Sequence, residues 1–161
     1  MTIQVGDKMP EGKFAYMSDN GPADVSTSEL FNGKKVVLFA VPGAFTPTCS
    51  ESHLPGFVVA VDDIKAKGVD TVACMTVNDV FVVDAWSKTQ NAEHLMMLAD
   101  GSADYASALG LTLDLTARGL GMRSDRFAMI IDDGVVTHLA REEPGKMDVS
   151  SAESIMKALA G

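Results

Sequence analysis

Residues 36–53 run Val36-Val37-Leu38-Phe39-Ala40-Val41-Pro42-Gly43-Ala44-Phe45-Thr46-Pro47-Thr48-Cys49-Ser50-Glu51-Ser52-His53, and their order decides the fold. The apolar run Val36–Val41, β-branched in part and stopped by Pro42-Gly43, reads as a strand buried on both faces. Thr46 followed by Pro47 supplies an N-cap and a favoured first helical residue, and Thr48 with Glu51 supplies a competing capping box. Phe57, Val61 and Ile64 then recur at helical spacing, with Asp62, Asp63, Lys65 and Lys67 on the opposite face. The segment is therefore a buried strand, a tight loop and an amphipathic helix.

The same alternation continues outward. Gly68 ends the helix, Val69–Val77 reads as a second buried strand, and Asn78 or Asp79 caps a helix carrying Val82, Val83 and Trp86 inward to about Asn91. His94–Ala99 is a third strand, and Ser102–Leu109 a short helix closed by Gly110. Residues 111–125 read as a loop with a Gly-rich middle. Phe127–Ile131 and Val135–Ala140 flank Asp132-Asp133-Gly134, a strong hairpin signal. Ser150-Ser151-Ala152-Glu153 is a capping box for a last helix to about Ala160. Upstream, Pro10–Ser28 reads as loops or an edge hairpin, an N-terminal extension. Helical crossovers join parallel strands and the late hairpin is antiparallel, so the class is α/β with a central mixed sheet flanked by helices. A thioredoxin-like arrangement fits this order, as do other small α/β folds.

Composition bounds the function. The chain has 161 residues, 47% hydrophobic and 22% charged, the size and balance of one globular domain spanning 1–161. A net charge of −9 argues against a nucleic-acid partner, and no apolar run is long enough to cross a membrane. The two cysteines, Cys49 and Cys74, form neither a disulfide scaffold nor a CxxC pair. Three dispersed histidines with no matching carboxylate spacing leave no expected metal site, and nothing calls for an organic cofactor. With no signal peptide in view, a reducing cytoplasm is the expected compartment, where both cysteines start as thiols.

Either reading of the helix start puts Cys49 in the first turn, where unpaired N–H groups and the helix dipole favour a thiolate. The alternative is a free cysteine packed under its loop. The Thr46 hydroxyl, three residues earlier, can donate to the thiolate or orient a substrate oxygen. All the arginines lie in the last third of the chain. Arg126 opens a core strand, where a guanidinium suits an anion, although spacing alone favours a surface salt bridge. Cys74, in a strand apolar on both faces, reads as an inert core thiol; the functional alternative is a cysteine that condenses with an oxidised Cys49. His53 lies four residues beyond Cys49 and could suggest a Cys/His hydrolase pair, although such partners usually come from distant positions. His94 and His138 read as strand residues, the methionines as core filling and Trp86 as helix-to-sheet packing.

Pro42, Thr46 and Cys49 spell PxxxTxxC, which resembles the active-site loop of peroxiredoxins. TPTCS-x-x-HLPGF, with Arg126 inside GMRSDRFAMIIDDG, is similar to their type II (class five) subfamily, and the resemblance runs from Val5-Gly6-Asp7 through Val77-Asn78-Asp79 to the last helix. It implies a thiol peroxidase acting on hydrogen peroxide and alkyl hydroperoxides. Cys49 would be the peroxidatic thiolate, Thr46 would bond peroxide and sulfur, Arg126 would stabilise developing charge, and Pro42 would shield the sulfur. Thr48 and His53 would support the site. It further implies a homodimer formed through the active-site loops. Where some relatives carry a C-terminal resolving cysteine, this chain has Ser150, Ser151 and Ser154. An external thiol is therefore expected to recycle Cys49, glutathione with glutaredoxin ahead of thioredoxin. An atypical two-cysteine route through Cys74, a non-catalytic sensor or chaperone, and a disulfide reductase (weak without CxxC) are the competing readings.

Overall fold

The structure, a computed structural model, describes residues 2–160. An edge hairpin of β1 (Lys13–Ser18) and β2 (Gly21–Ser26) leads through α1 (Thr27–Phe31) into β3 (Lys35–Val41). Then follow α2 (Leu54–Ala66), β4 (Thr71–Thr76), α3 (Val80–Thr89), β5 (Met96–Ala99) and α4 (Asp104–Leu109). The small strands β6 (Thr112–Leu115) and β7 (Gly121–Ser124) precede β8 (Phe127–Asp132), β9 (Val135–Arg141) and α5 (Ala152–Ala160).

One sheet of order β2-β1-β5-β4-β3-β8-β9 runs through the molecule, parallel at β3–β4 and β4–β5 and antiparallel elsewhere. Strand alternation sorts β3 onto two cores: Val37, Phe39 and Val41 face the layer with Phe57 and Trp86, while Val36, Leu38 and Ala40 face the one with Phe14 and Leu109. Burial on both faces is why β3, β4 and β8 are apolar throughout their middles. The β8–β9 turn places Asp133 and Gly134 at φ +49° and +81°, the left-handed geometry that twists with a hairpin.

Several elements depart from the sequence-based expectation. The stretch 111–125 is not a loop but the β6–β7 hairpin, whose four-residue, half-exposed strands are too short to show a period. Helix α1 is closed by a reciprocal box in which Ser26 Oγ accepts from Glu29 N and the Glu29 carboxylate from Ser26 N. The α5 cap is Ser151 rather than Ser150: Ser151 Oγ accepts from Ser154 N at 3.1 Å, because the Ser150 hydroxyl is committed to Glu142. In α3 it is Val80, Val83 and Trp86 that are buried, with Val82 half-buried, and His94 lies exposed before β5 begins. Trp86 is fully buried, the packing residue its spacing suggested.

Candidate active site

Two segments far apart in sequence meet at one end of the sheet. Ala40 pairs with Phe127 across the antiparallel β3–β8 ladder, so the loop leaving β3 at Pro42 starts beside Arg126. The carboxyl end of β4 adds a third support. Asn78 Oδ1 accepts from Ala44 N at 2.9 Å and from the Thr76 hydroxyl at 2.6 Å, pinning the loop. Phe45 within that loop holds φ +64° with its ring exposed, a strained state for a bulky residue.

The helix begins near Thr46, whose carbonyl accepts from Ser50 N at 2.9 Å while its hydroxyl donates to Gly43 O at 2.6 Å. Cys49–His53 then form a π-helical turn before α2, closed by Leu54 N donating to Cys49 O. Cys49 lies in the opening turn as expected, but the turn passes from α to π geometry at the cysteine. Thr48 is itself helical and makes no side-chain cap, so the Thr48–Glu51 box does not form. A π turn holds an extra residue and recurs where a site must re-aim side chains. Here Trp86 Nε1 donates to Ser50 Oγ at 2.9 Å, fastening the turn to α3.

Cys49 is 1% exposed, and its sulfur accepts from Arg126 Nη2 at 3.1 Å. Arg126 also donates from Nη1 to His53 Nδ1 at 2.8 Å. A guanidinium only donates and a carbonyl only accepts, so His53 carries its proton on Nε2 and gives it to Ser150 O at 2.9 Å. Burial, seconded by the Arg126 charge, pushes His53 down to about 4. It is a neutral brace for Arg126, held against the stacked rings of Phe39 and Phe57. Behind it, Glu142 Oε2 accepts from the amides of Asp148, Val149 and Ser150 and from the Ser150 hydroxyl. Glu142 carries no sequence signal: an acidic residue just after a strand looks like solvated surface.

Pro42, Thr46, Thr48 and Arg126 line a cavity of about 400 Å³, beside the buried sulfur. Arg126 makes no ion pair among the described residues, so the salt-bridge reading does not hold; it is Arg141 that pairs with Asp125, at 2.6 Å. Cys74 lies at the centre of β4 and is fully buried in the same apolar layer as Cys49. Burial, seconded by the Cys49 charge, pushes its thiol well up, and both cysteines are free. Among the described residues no cluster of three potential metal ligands occurs, and no helix is long and apolar enough to cross a membrane.

Comparison with known proteins agrees with this geometry. Residues 4–156 match the Redoxin family. Peroxiredoxin-2D of Arabidopsis thaliana is 50% identical over 98% of this chain and 98% of its own length. Reduced Prx3 of Vibrio vulnificus in complex with hydrogen peroxide superposes at TM-score 0.95, with 53% identity over 98% of this chain and 99% of that one. The oxidized form of that protein, 54% identical over 98% of this chain and 99% of that one, superposes at 0.89. The chain belongs to the redoxin family and, within it, to the peroxiredoxins, the thiol-dependent peroxidases.

Proposed function

We propose that Cys49 is the peroxidatic thiolate and that Arg126, Thr46 and Pro42 complete its site. The observation that carries this reading is the 3.1 Å bond from Arg126 Nη2 to Cys49 Sγ. The sulfur attacks the terminal oxygen of a hydroperoxide; an S–O bond forms, the O–O bond breaks, and the departing alkoxide or hydroxide takes up a proton. Cys49 is oxidised by two electrons to a sulfenic acid and the peroxide is reduced to alcohol or water. Arg126 meets the negative charge that grows on the leaving oxygen. The Thr46 proton already points at Gly43 O, so its oxygen is placed to accept from the peroxide rather than to donate to sulfur. Pro42 shields the sulfur, and Thr48 and His53 support the site.

Hydrogen peroxide and alkyl hydroperoxides are the substrates of this reading, taken by one functional domain across 1–161 in the cytoplasm. An external thiol reduces the sulfenic acid, with glutathione and glutaredoxin favoured over thioredoxin. Cys74 resolves poorly in the folded state: it is fully buried between paired strands, and its thiol resists ionisation. Exposed Phe45, Phe81 and Met122 support a homodimer through the active-site face. The segments that carry them are tied by the Ala44–Asn78 and Arg123–Val77 hydrogen bonds. Cys49→Ser should abolish peroxide consumption; turnover retained by that variant overturns the peroxidase assignment of Cys49 and favours a sensor or chaperone. Cys74→Ser should keep full turnover with glutaredoxin and glutathione. Collapse of its turnover, with an intramolecular bridge in oxidised wild type, would establish the two-cysteine route, for which thioredoxin is the donor to test.

A further inference from the structure

The cavity beside Cys49 is far larger than hydrogen peroxide needs. At about 400 Å³ it falls in the range of small-molecule sites, whereas a water's share of liquid volume is about 30 Å³. Its apolar wall comes largely from the hairpin segment that the sequence hid. On β6, alternation sends Leu113 and Leu115 to one face and Asp114 to the other, and both leucines line the cavity with Leu120 from the following turn.

The charges around it are unequal. Lys146 is held by Glu143 at 2.8 Å, and Asp125 by Arg141. Glu142 is tied through Oε2 to the amides of the 148–150 loop. Arg123 donates to the carbonyls of Leu120 and Val77, and Arg126 to Cys49 and His53. Arg118 is different: it lines the cavity, is exposed, and among the described residues makes no ion pair or side-chain hydrogen bond. In a chain of net charge −9, a free guanidinium beside an apolar wall is the place an anion can dock.

We propose that this cavity takes hydroperoxides bearing a carboxylate on an apolar chain. The hydrocarbon lies against Leu113, Leu115 and Leu120, the carboxylate pairs with Arg118, and the peroxy group meets Thr46 and Arg126. The inference rests on the peroxidase reading above and adds a specificity-determining residue to it. The chemistry is unchanged: Cys49 gains the terminal oxygen, and the rest of the substrate leaves as the hydroxy acid.

The test compares linoleic acid hydroperoxide with its methyl ester, which keeps the chain and removes the charge. Single-turnover oxidation of Cys49, followed by rapid quench and thiol titration with no reducing thiol present, keeps donor binding out of the readout. The acid-to-ester ratio of rate constants should fall about threefold to fivefold in Arg118→Leu, with Arg118→Lys restoring most of it. In wild type the same ratio should fall as salt rises. A ratio identical in wild type and Arg118→Leu, or insensitive to salt, overturns the proposal. Failure of wild type to consume hydrogen peroxide itself would instead strike the peroxidase reading beneath it.

Discussion

Arg126 Nη1 donates to His53 Nδ1 at 2.8 Å, so the guanidinium that faces the Cys49 sulfur is braced from behind by a neutral imidazole. Protonating that imidazole would set a second cation against Arg126 in a buried place. An unfolded histidine titrates near 6.5, whereas His53 in the fold is pushed down to about 4. Between those values the unfolded chain holds the extra proton, so the His53 contribution is complete above about pH 6.5 and is lost as pH falls toward 4. Its size is at most about 3 kcal/mol. His53→Gln keeps one acceptor and one donor but cannot titrate. Urea midpoints measured between about pH 7.5 and pH 5 should fall more steeply for wild type than for this variant. Parallel curves would rule the brace out as the titrating group.

Arg126 serves two acceptors with one planar fork, which a lysine cannot do because its ammonium is a single point on a flexible stem. Arg126→Lys should therefore keep the charge and lose the geometry. The rate constant with hydrogen peroxide is expected to drop on the order of 100-fold, as for loss of a donor aimed at developing negative charge. Alkylation of Cys49 by iodoacetamide at neutral pH should slow as well. A variant that reacts like wild type in both assays would remove Arg126 from its assigned role.

What could be read in advance follows burial. β3 and β8 announce themselves because both faces are covered and every residue but the terminal Lys35 and Asp132 is apolar, and their pairing alone brings Arg126 to the loop after Val41. The helix start at Pro47 and the place of Cys49 were legible because a proline suits the first helical position, although the Thr46 hydroxyl turns back to Gly43 O rather than capping a helical amide. The π turn was not, since it is held by tertiary partners, Trp86 on Ser50 and Arg126 and Ser150 on His53. For the same reason Ser150 looked like a cap: nothing nearby in sequence tells its hydroxyl that Glu142 lies within 2.7 Å. The β6–β7 hairpin escaped because Leu113 and Leu115 face a cavity rather than a core, leaving too little burial to set a period.

Glu142 is the anchor of that hidden half of the site. Burial opposes its charge, but the three amides and the Ser150 hydroxyl outweigh burial and hold its carboxyl below the usual glutamate range. A depressed carboxylate stabilises the fold above the ordinary glutamate value, and that contribution is lost as pH falls through the folded one. Glu142→Gln should cost about 2–3 kcal/mol at neutral pH, since a neutral amide oxygen accepts more weakly from charge-seeking donors. Amide exchange at Val149 and Ser150 should quicken in the variant. Unchanged exchange there would show that the loop is held by something other than this carboxylate.

Trp86 is the single tryptophan of the chain, and it reports on the site without belonging to it. Its indole N–H donates to Ser50 Oγ at 2.9 Å, one residue from Cys49 within the π turn. Any change at the sulfur that shifts the turn must move Ser50 and alter the polarity around a ring that is otherwise fully buried. One equivalent of hydrogen peroxide should therefore change the tryptophan emission of wild type, and a thiol reductant should restore it. Cys49→Ser should show no such change, because no sulfenic acid can form. Ser50→Ala should oxidise as wild type does, by thiol titration, yet give a smaller emission change, since the hydrogen bond linking ring to turn is gone. Equal changes in Ser50→Ala and wild type would mean that the ring senses the sulfur by another path.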